Sequence, residues 1–447
     1  MESAVATAFF VLCAVVLGGS AFGAMRSGRL SSVVVAALAG YAVILAFSAE
    51  TLIAEFGAAC FMDAAAIYAV GTVVLVATLN LAARRSRWVP IAWGDEEQRR
   101  HVRWSMRLAV VSLTLFYVDR TDPLISWSEA RADAGLLTVI ATFCLLLATS
   151  GLVSAFRTSK WVSAVTLLLL CAASFVLSGS RAAVLAAVML WLWTLTQQTR
   201  SRGRVLLVLA GVGTAVLLLH TVLRFVRGVS LLGLLEAIQS GTLLSDFLAG
   251  AASDVSGGEA AIARYFVYAT TVDSTQEFGV MTSLQRLLLI AVPHVEGLID
   301  KPLDVTYRLW AKAFEQGLFD GAAGQQLLFD SYLTGSLGSL HATLFGEMFL
   351  SGGLGALVIS VIFVGLVLAA IDRYFRHASP FTALVLTGPV LVGYLMTARG
   401  NSVIGLGYFV YLATLVAILR TIGCIALGIA RTCASVSDRL ARQEPER

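Results

Sequence analysis

Apolar residues run in long blocks separated by short polar connections, which predicts a chain of membrane-crossing helices. The blocks cover positions 4–24, 31–48, 62–83, 104–118, 134–155, 161–177, 182–197 and 204–222, and then, after a long interval, 342–371, 381–397 and 403–420. A helix needs about 20 apolar residues to cross a bilayer, so this pattern predicts an all-α polytopic protein with about eleven crossings. The first block follows Glu2 without the basic region of a signal peptide and reads as a retained helix. Inside the long interval, Leu231–Ile238 and Leu284–Val292 are too short to span and read as amphipathic or re-entrant helices, with a turn-like stretch at 254–259 between them. No internal repeat is visible.

The charges between the blocks orient the chain. Basic clusters at Arg26 and Arg29, Arg84 to Arg107, Arg157 to Lys160, Arg200 to Arg204 and Arg373 to Arg376 alternate with acidic or neutral connections such as Glu50 and Glu55. Basic connections stay cytoplasmic. The N-terminus and the long loop are therefore expected outside, and the tail with Arg431, Arg439 and Arg442 inside. Four regions result: spans in 1–222, a large extracytoplasmic loop in 223–341, further spans in 342–430 and a basic tail in 431–447.

Composition agrees. The chain is 58% hydrophobic and 13% charged, against about 45–50% apolar and 25% charged in soluble domains, with a mean hydropathy of +0.83. A net charge of +4 spread over many loops does not suggest nucleic acid as a partner. The cysteines lie in or beside apolar blocks without CxxC spacing, so neither a disulfide framework nor a zinc site is suggested.

Several polar residues stand where topology alone does not call for them. Arg181, in a Ser-Gly-Ser-Arg connection between two spans, can turn a planar donor fork toward an external anion, or snorkel to headgroups. His220, Arg224 and Arg227 form a helical stripe leaving the eighth span, either lining an anionic substrate's path or anchoring the helix. Arg264 sits beside Tyr265 in a loop with excess acid, and Lys301 precedes a proline. His341, Gly352 and Gly355, spaced eleven and three apart, fall on one helical face at 100° per residue. Glu347, inside an apolar block, is costly there and a functional candidate by default. Arg399-Gly400-Asn401 places a further cation in a short turn. The long loop reads as the active-site loop of a membrane enzyme.

In order along the chain, Ser180-Arg181-Ala182, Gly279, Pro293-His294, Lys301-Pro302, His341, Phe345-Gly346-Glu347, Gly352, Gly355 and Arg399-Gly400 resemble the bacterial O-antigen ligase and polymerase superfamily. They are most similar to its oligosaccharide repeat-unit polymerases (Wzy type). His294 stands where those polymerases often carry arginine, and Asn401 where they often carry aspartate. The resemblance covers about residues 160–420. It implies a GT-C-like membrane glycosyltransferase of the bacterial inner membrane, facing the periplasm. Its substrates would be undecaprenyl-pyrophosphate-linked oligosaccharides, extended into surface polysaccharide, with membrane lipids and a chain-length regulator protein as partners. A ligase using the same donor and a lipid A-core acceptor is the sibling reading, and a transporter of lipid-linked sugars the reading of another class.

On the polymerase reading, Arg181, Arg224, Arg227, Arg264, Lys301 and Arg399 bind pyrophosphate and glycan without metal or cofactor, no DxD-like motif being present. His341, with an ordinary pKa near 6.5, is the expected base or acceptor positioner, and Glu347 the reserve. The transporter reading predicts helices broken in mid-membrane, which the apolar blocks do not suggest.

Overall fold

The computed structural model describes residues 2–83, 94–119, 136–158, 160–178, 259–272, 341–378 and 380–402, with scattered positions in 236–245, 305–316 and 405–409. The described residues are helical and contain no strand. The helices are α1 (Glu2–Arg26), α2 (Ser32–Phe47), α3 (Ala49–Phe56), α4 (Ala58–Ala83), α5 (Asp95–Asp119), α6 (Leu136–Arg157), α7 (Trp161–Ser178), α8 (Glu259–Thr271), α9 (Thr343–Leu350), α10 (Gly353–His377) and α11 (Pro380–Arg399). Among them, α1, α4 and α10 are each long and apolar enough to cross a membrane, and α2 with α3 makes a fourth candidate if the bent pair counts as one span. The predicted spans at 182–197 and 204–222, most of the long loop, most of the last span and the tail lie outside the described residues.

Faces of these helices bury selectively. On α1, Ala6, Phe10, Cys13, Leu17 and Ala21 are buried while Val11, Leu12, Val15 and Val16 are exposed; on α10, Leu357, Val361, Val364 and Leu368 are buried while Ile359, Ile362, Phe363 and Leu366 are exposed. Exposed apolar stripes of this length suit lipid tails better than water.

Tyr68 of α4 ties the first core together. Its hydroxyl donates to the Leu38 carbonyl of α2 at 2.5 Å, and its ring meets Phe10 at 5.6 Å, Phe266 at 5.3 Å and Phe345 at 4.9 Å, all edge-on. Residues of α1, α2, α4, α8, α9, α10 and α11 thereby share one core. A second core joins α5, α6, α7 and Val392 of α11. There the two ring nitrogens of His101 bond Ser154 at 2.8 Å and Ser150 at 3.1 Å. Because the Ser150 hydroxyl already donates to the Leu147 carbonyl, it accepts from Nε2–H, which leaves Nδ1 to accept from Ser154.

Three features depart from the sequence expectation. The fourth helix begins at Asp95 rather than 104, its first turn carrying Asp95, Glu96 and Glu97 where acids favour a helix start. The run 342–371 is two helices, because Gly352 (φ 150°) and Gly353 (φ 72°) break it; His341, Gly352 and Gly355 therefore do not share a helical face. Finally, α2 and α3 meet at a 69° bend, so broken helices are present after all.

Candidate functional site

The site forms where α9 and the end of α11 touch. Helix α11 stops in a Schellman motif: Asn401 N–H donates to the Met396 carbonyl at 3.0 Å and Gly400 N–H to Thr397 at 3.2 Å. That motif needs a left-handed residue, supplied by Gly400 at φ 91°. A Cβ on Gly400 would lie 2.4 Å from the Thr343 carbonyl oxygen, so only glycine lets the turn reach the backbone of α9. Thr343 itself is left-handed at φ 60°, a conformation that is strained for a β-branched residue. Its hydroxyl partly offsets this by accepting from the Gly346 N–H at 3.4 Å.

Glu347 locks the contact from the other side. Its Oε2 accepts the Ser402 N–H at 2.8 Å and its Oε1 the Ser402 hydroxyl at 2.9 Å. Asn401 accepts from Gly405 N–H at 2.9 Å, so Ser402 opens the following helix and Glu347 caps that start across the bundle. A buried carboxylate with two donors is a stable arrangement, and its oxygens are committed to holding the turn. Glu347 therefore acts first as a positioning residue.

The lock sets Arg399, the residue before Gly400, at the Thr343 backbone two residues from His341. Burial first, and the neighbouring Arg399 guanidinium second, push the His341 imidazole down to about 3. This corrects the expectation of an ordinary titration near neutrality: the ring is neutral at physiological pH, able to donate through one nitrogen and accept through the other. A group so shifted is a weak base in this state.

Phe345 sets the depth of α9. Phe345 packs on Gly71 and Tyr68, where a Cβ on Gly71 would lie 2.5 Å from the Phe345 ring. Those residues lie well inside α4, about 15–20 Å from its start at 1.5 Å per residue. Helix α9 thus sits within the bundle rather than at its outer rim.

Arg264, on α8, belongs to the neighbouring layer. Helix α8 packs on α9 through Phe266 and Ala269 against Gly346, and its Tyr268 and Ala269 share a cluster with Val305, Leu309 and Ala313. The guanidinium clasps Glu55 at the end of α3, with Nε at 2.6 Å and a terminal nitrogen at 2.5 Å from Oε1. Arg264 is thus one half of a partly exposed ion pair rather than a lone cation. Arg181, Arg224, Arg227 and Lys301 lie outside the described residues.

Sequence reading had missed Ser402 as the partner of Glu347 and Glu55 as the partner of Arg264. An acid in an apolar block needs donors, and Ser402, just after a predicted helix end, was an available one. Among the described residues no group of three or more His, Cys, Asp or Glu side chains is placed to hold a metal ion. Compared with known proteins, the chain matches no family model, no curated protein and no solved structure.

Proposed function

We propose that this protein is an integral-membrane glycosyltransferase that joins lipid-pyrophosphate-linked oligosaccharide repeat units, with undecaprenyl pyrophosphate as the leaving group. The chain would cross the bacterial inner membrane about eleven times, in a GT-C-like arrangement with its long loop in the periplasm. One observation carries the reading: the Arg399–Gly400 turn packs on the Thr343 backbone, two residues from His341, so that residues distant in sequence share one strained and locked setting. A fixed guanidinium beside a neutral imidazole suits a pyrophosphate leaving group next to an acceptor hydroxyl.

Arg399 takes the pyrophosphate oxygens and stabilises the charge that grows as the sugar–phosphate bond breaks. His341 aligns the acceptor hydroxyl. A bound pyrophosphate offsets the Arg399 charge, which raises the basicity of the ring at the moment the hydroxyl loses its proton. Arg264, Arg181, Arg224, Arg227 and Lys301 are assigned to the path of the anionic donor. Elongation of purified lipid-linked repeat units by reconstituted protein, lost on Arg399→Ala and partly kept by Arg399→Lys, tests the reading.

A second reading draws on a specific observation. Helices broken at Ser48 and at Gly352–Gly353, together with a buried carboxylate at Glu347, are features of transporters. On that reading the lipid-linked sugar crosses the membrane without being extended. A ligase would instead deliver the glycan to a lipid A-core acceptor.

A further inference from the structure

Helix α5 carries a cationic stripe on the side it turns away from the bundle. Its buried face includes His101, Val102, Ser105 and Ala109, with Val102 in a cluster with Ala155 of α6 and Ala164 of α7. Arg99, Arg103 and Arg107 are exposed. Their spacing of four and four sets them on one helical face, about 12 Å from first to last. Among the described residues no hydrogen bond or ion pair engages these three. Arg100 does have a partner, Glu96 at 3.8 Å, and the other acids of the first turn, Asp95 and Glu97, precede the stripe. Each guanidinium of the stripe is thus an open planar donor fork.

The neighbouring helix sets the level of the stripe. Helices α5 and α7 run in the same direction, each antiparallel to α6. Val102 clusters with Ala164, and a Cβ on Gly151 of α6 would collide with Ser105 and meet Leu167 at 3.0 Å. Both pairings have one register, which puts Arg99 level with Trp161, Arg103 with Val165 and Arg107 with Leu169. All three of those α7 residues are exposed. The stripe's own face continues as exposed Val110, Val111 and Val118. Open cations therefore stand at the level where apolar side chains look outward, beside a tryptophan of the kind that marks a membrane interface. A lone guanidinium at the edge of lipid tails is costly. Phosphate oxygens match its fork, and the tails below a phosphate would cover the exposed valines and leucine. An acidic protein would leave those apolar residues to be covered by something else.

We propose that the Arg99–Arg103–Arg107 face of α5 holds the phosphate groups of anionic phospholipid headgroups. The surface rests on α7 facing lipid and stands whether or not the glycosyltransferase reading holds.

Native mass spectrometry of the full chain with phosphatidylglycerol and with phosphatidylcholine tests it. The parent is expected to retain phosphatidylglycerol in preference. The double variant Arg103→Gln, Arg107→Gln should retain it about fivefold more weakly for each arginine removed, the scale of one cation near an anionic surface. Arg103→Lys, Arg107→Lys keeps the charge without the fork and should lose less. Arg26→Gln, at an exposed arginine on the end of α1, should retain lipid like the parent. Because all these positions are exposed, melting temperatures are expected to match. Equal retention of the two lipids by the parent, or a loss on Arg26→Gln equal to that of the double glutamine variant, overturns the proposal. So does unchanged phosphatidylglycerol retention in that variant, which would give the stripe to a protein if an acidic one co-purified with the parent alone.

Discussion

Glu347 and Ser402 are joined twice, through the Ser402 N–H at 2.8 Å and its hydroxyl at 2.9 Å, across 55 residues of sequence. Removing the carboxylate strands a buried N–H at a helix start. Glu347→Ala should therefore destabilise the protein by about 1–3 kcal/mol beyond any cavity left behind, seen as a lower melting temperature in detergent. Glu347→Gln should lose less, since its amide oxygen can still accept the N–H while its NH2 donates to the Ser402 hydroxyl. Equal melting temperatures for all three proteins would remove the lock from the account.

Gly400 and Gly353 make a matched pair, both left-handed, one crowded and one open. A Cβ on Gly353 meets nothing within 4 Å, whereas one on Gly400 collides with the Thr343 backbone. Gly353→Ala should cost about 1 kcal/mol from its φ alone. Gly400→Ala should cost clearly more and abolish elongation, because the Arg399 turn moves away from His341. Thermal unfolding beside the elongation assay reads both.

The depressed His341 imidazole gives stability a pH dependence. The unfolded ring titrates near 6.5 and the folded one at about 3, so below 6.5 the unfolded state binds more protons. Stability from this group is complete above pH 6.5 and is lost as pH falls toward 3. His101, pushed down to about 4 by burial, acts with the same sign. Acidification from pH 7 to 5 should lower stability by roughly 2 kcal/mol per histidine as an upper value, and His341→Gln should flatten this fall without abolishing it. An unchanged slope in the variant would mean the ring is not held neutral.

The Arg264–Glu55 pair is partly exposed, with side chains 36% and 29% accessible, and so contributes little to stability, about 0–1 kcal/mol. If Arg264 also guides the anionic donor, Glu55→Ala should free it and tighten donor binding while Arg264→Ala weakens it. Identical small effects of the two variants would confine the pair to fastening α3 to α8.

Long apolar runs were legible because their period and length leave few alternatives: 4–24, 31–48, 62–83 and 161–177 fall within a few residues of α1, α2, α4 and α7. The break before α10 was not, since hydropathy is continuous through it and only the Gly352-Gly353 pair marks the change of backbone hand. Helix α8 went unread because Arg264, Tyr265 and Tyr268 interrupt its apolar face, and its burial comes from tertiary packing on α9. Of the site, His341 and Arg399 were recognisable as polar residues at the edges of apolar blocks and Glu347 as an acid inside one. Their mutual placement depends on left-handed Gly400 and Thr343, which a sequence pattern does not encode.

The central claim is that the locked His341–Arg399 pair serves glycan elongation. Parent and Arg399→Ala protein, reconstituted in proteoliposomes with purified undecaprenyl-pyrophosphate-linked repeat units, should differ sharply: a ladder of longer lipid-linked glycans from the parent, and none from the variant at equal expression and melting temperature. Full ladders from Arg399→Ala, or movement of the units across the bilayer by the parent without any lengthening, would contradict it.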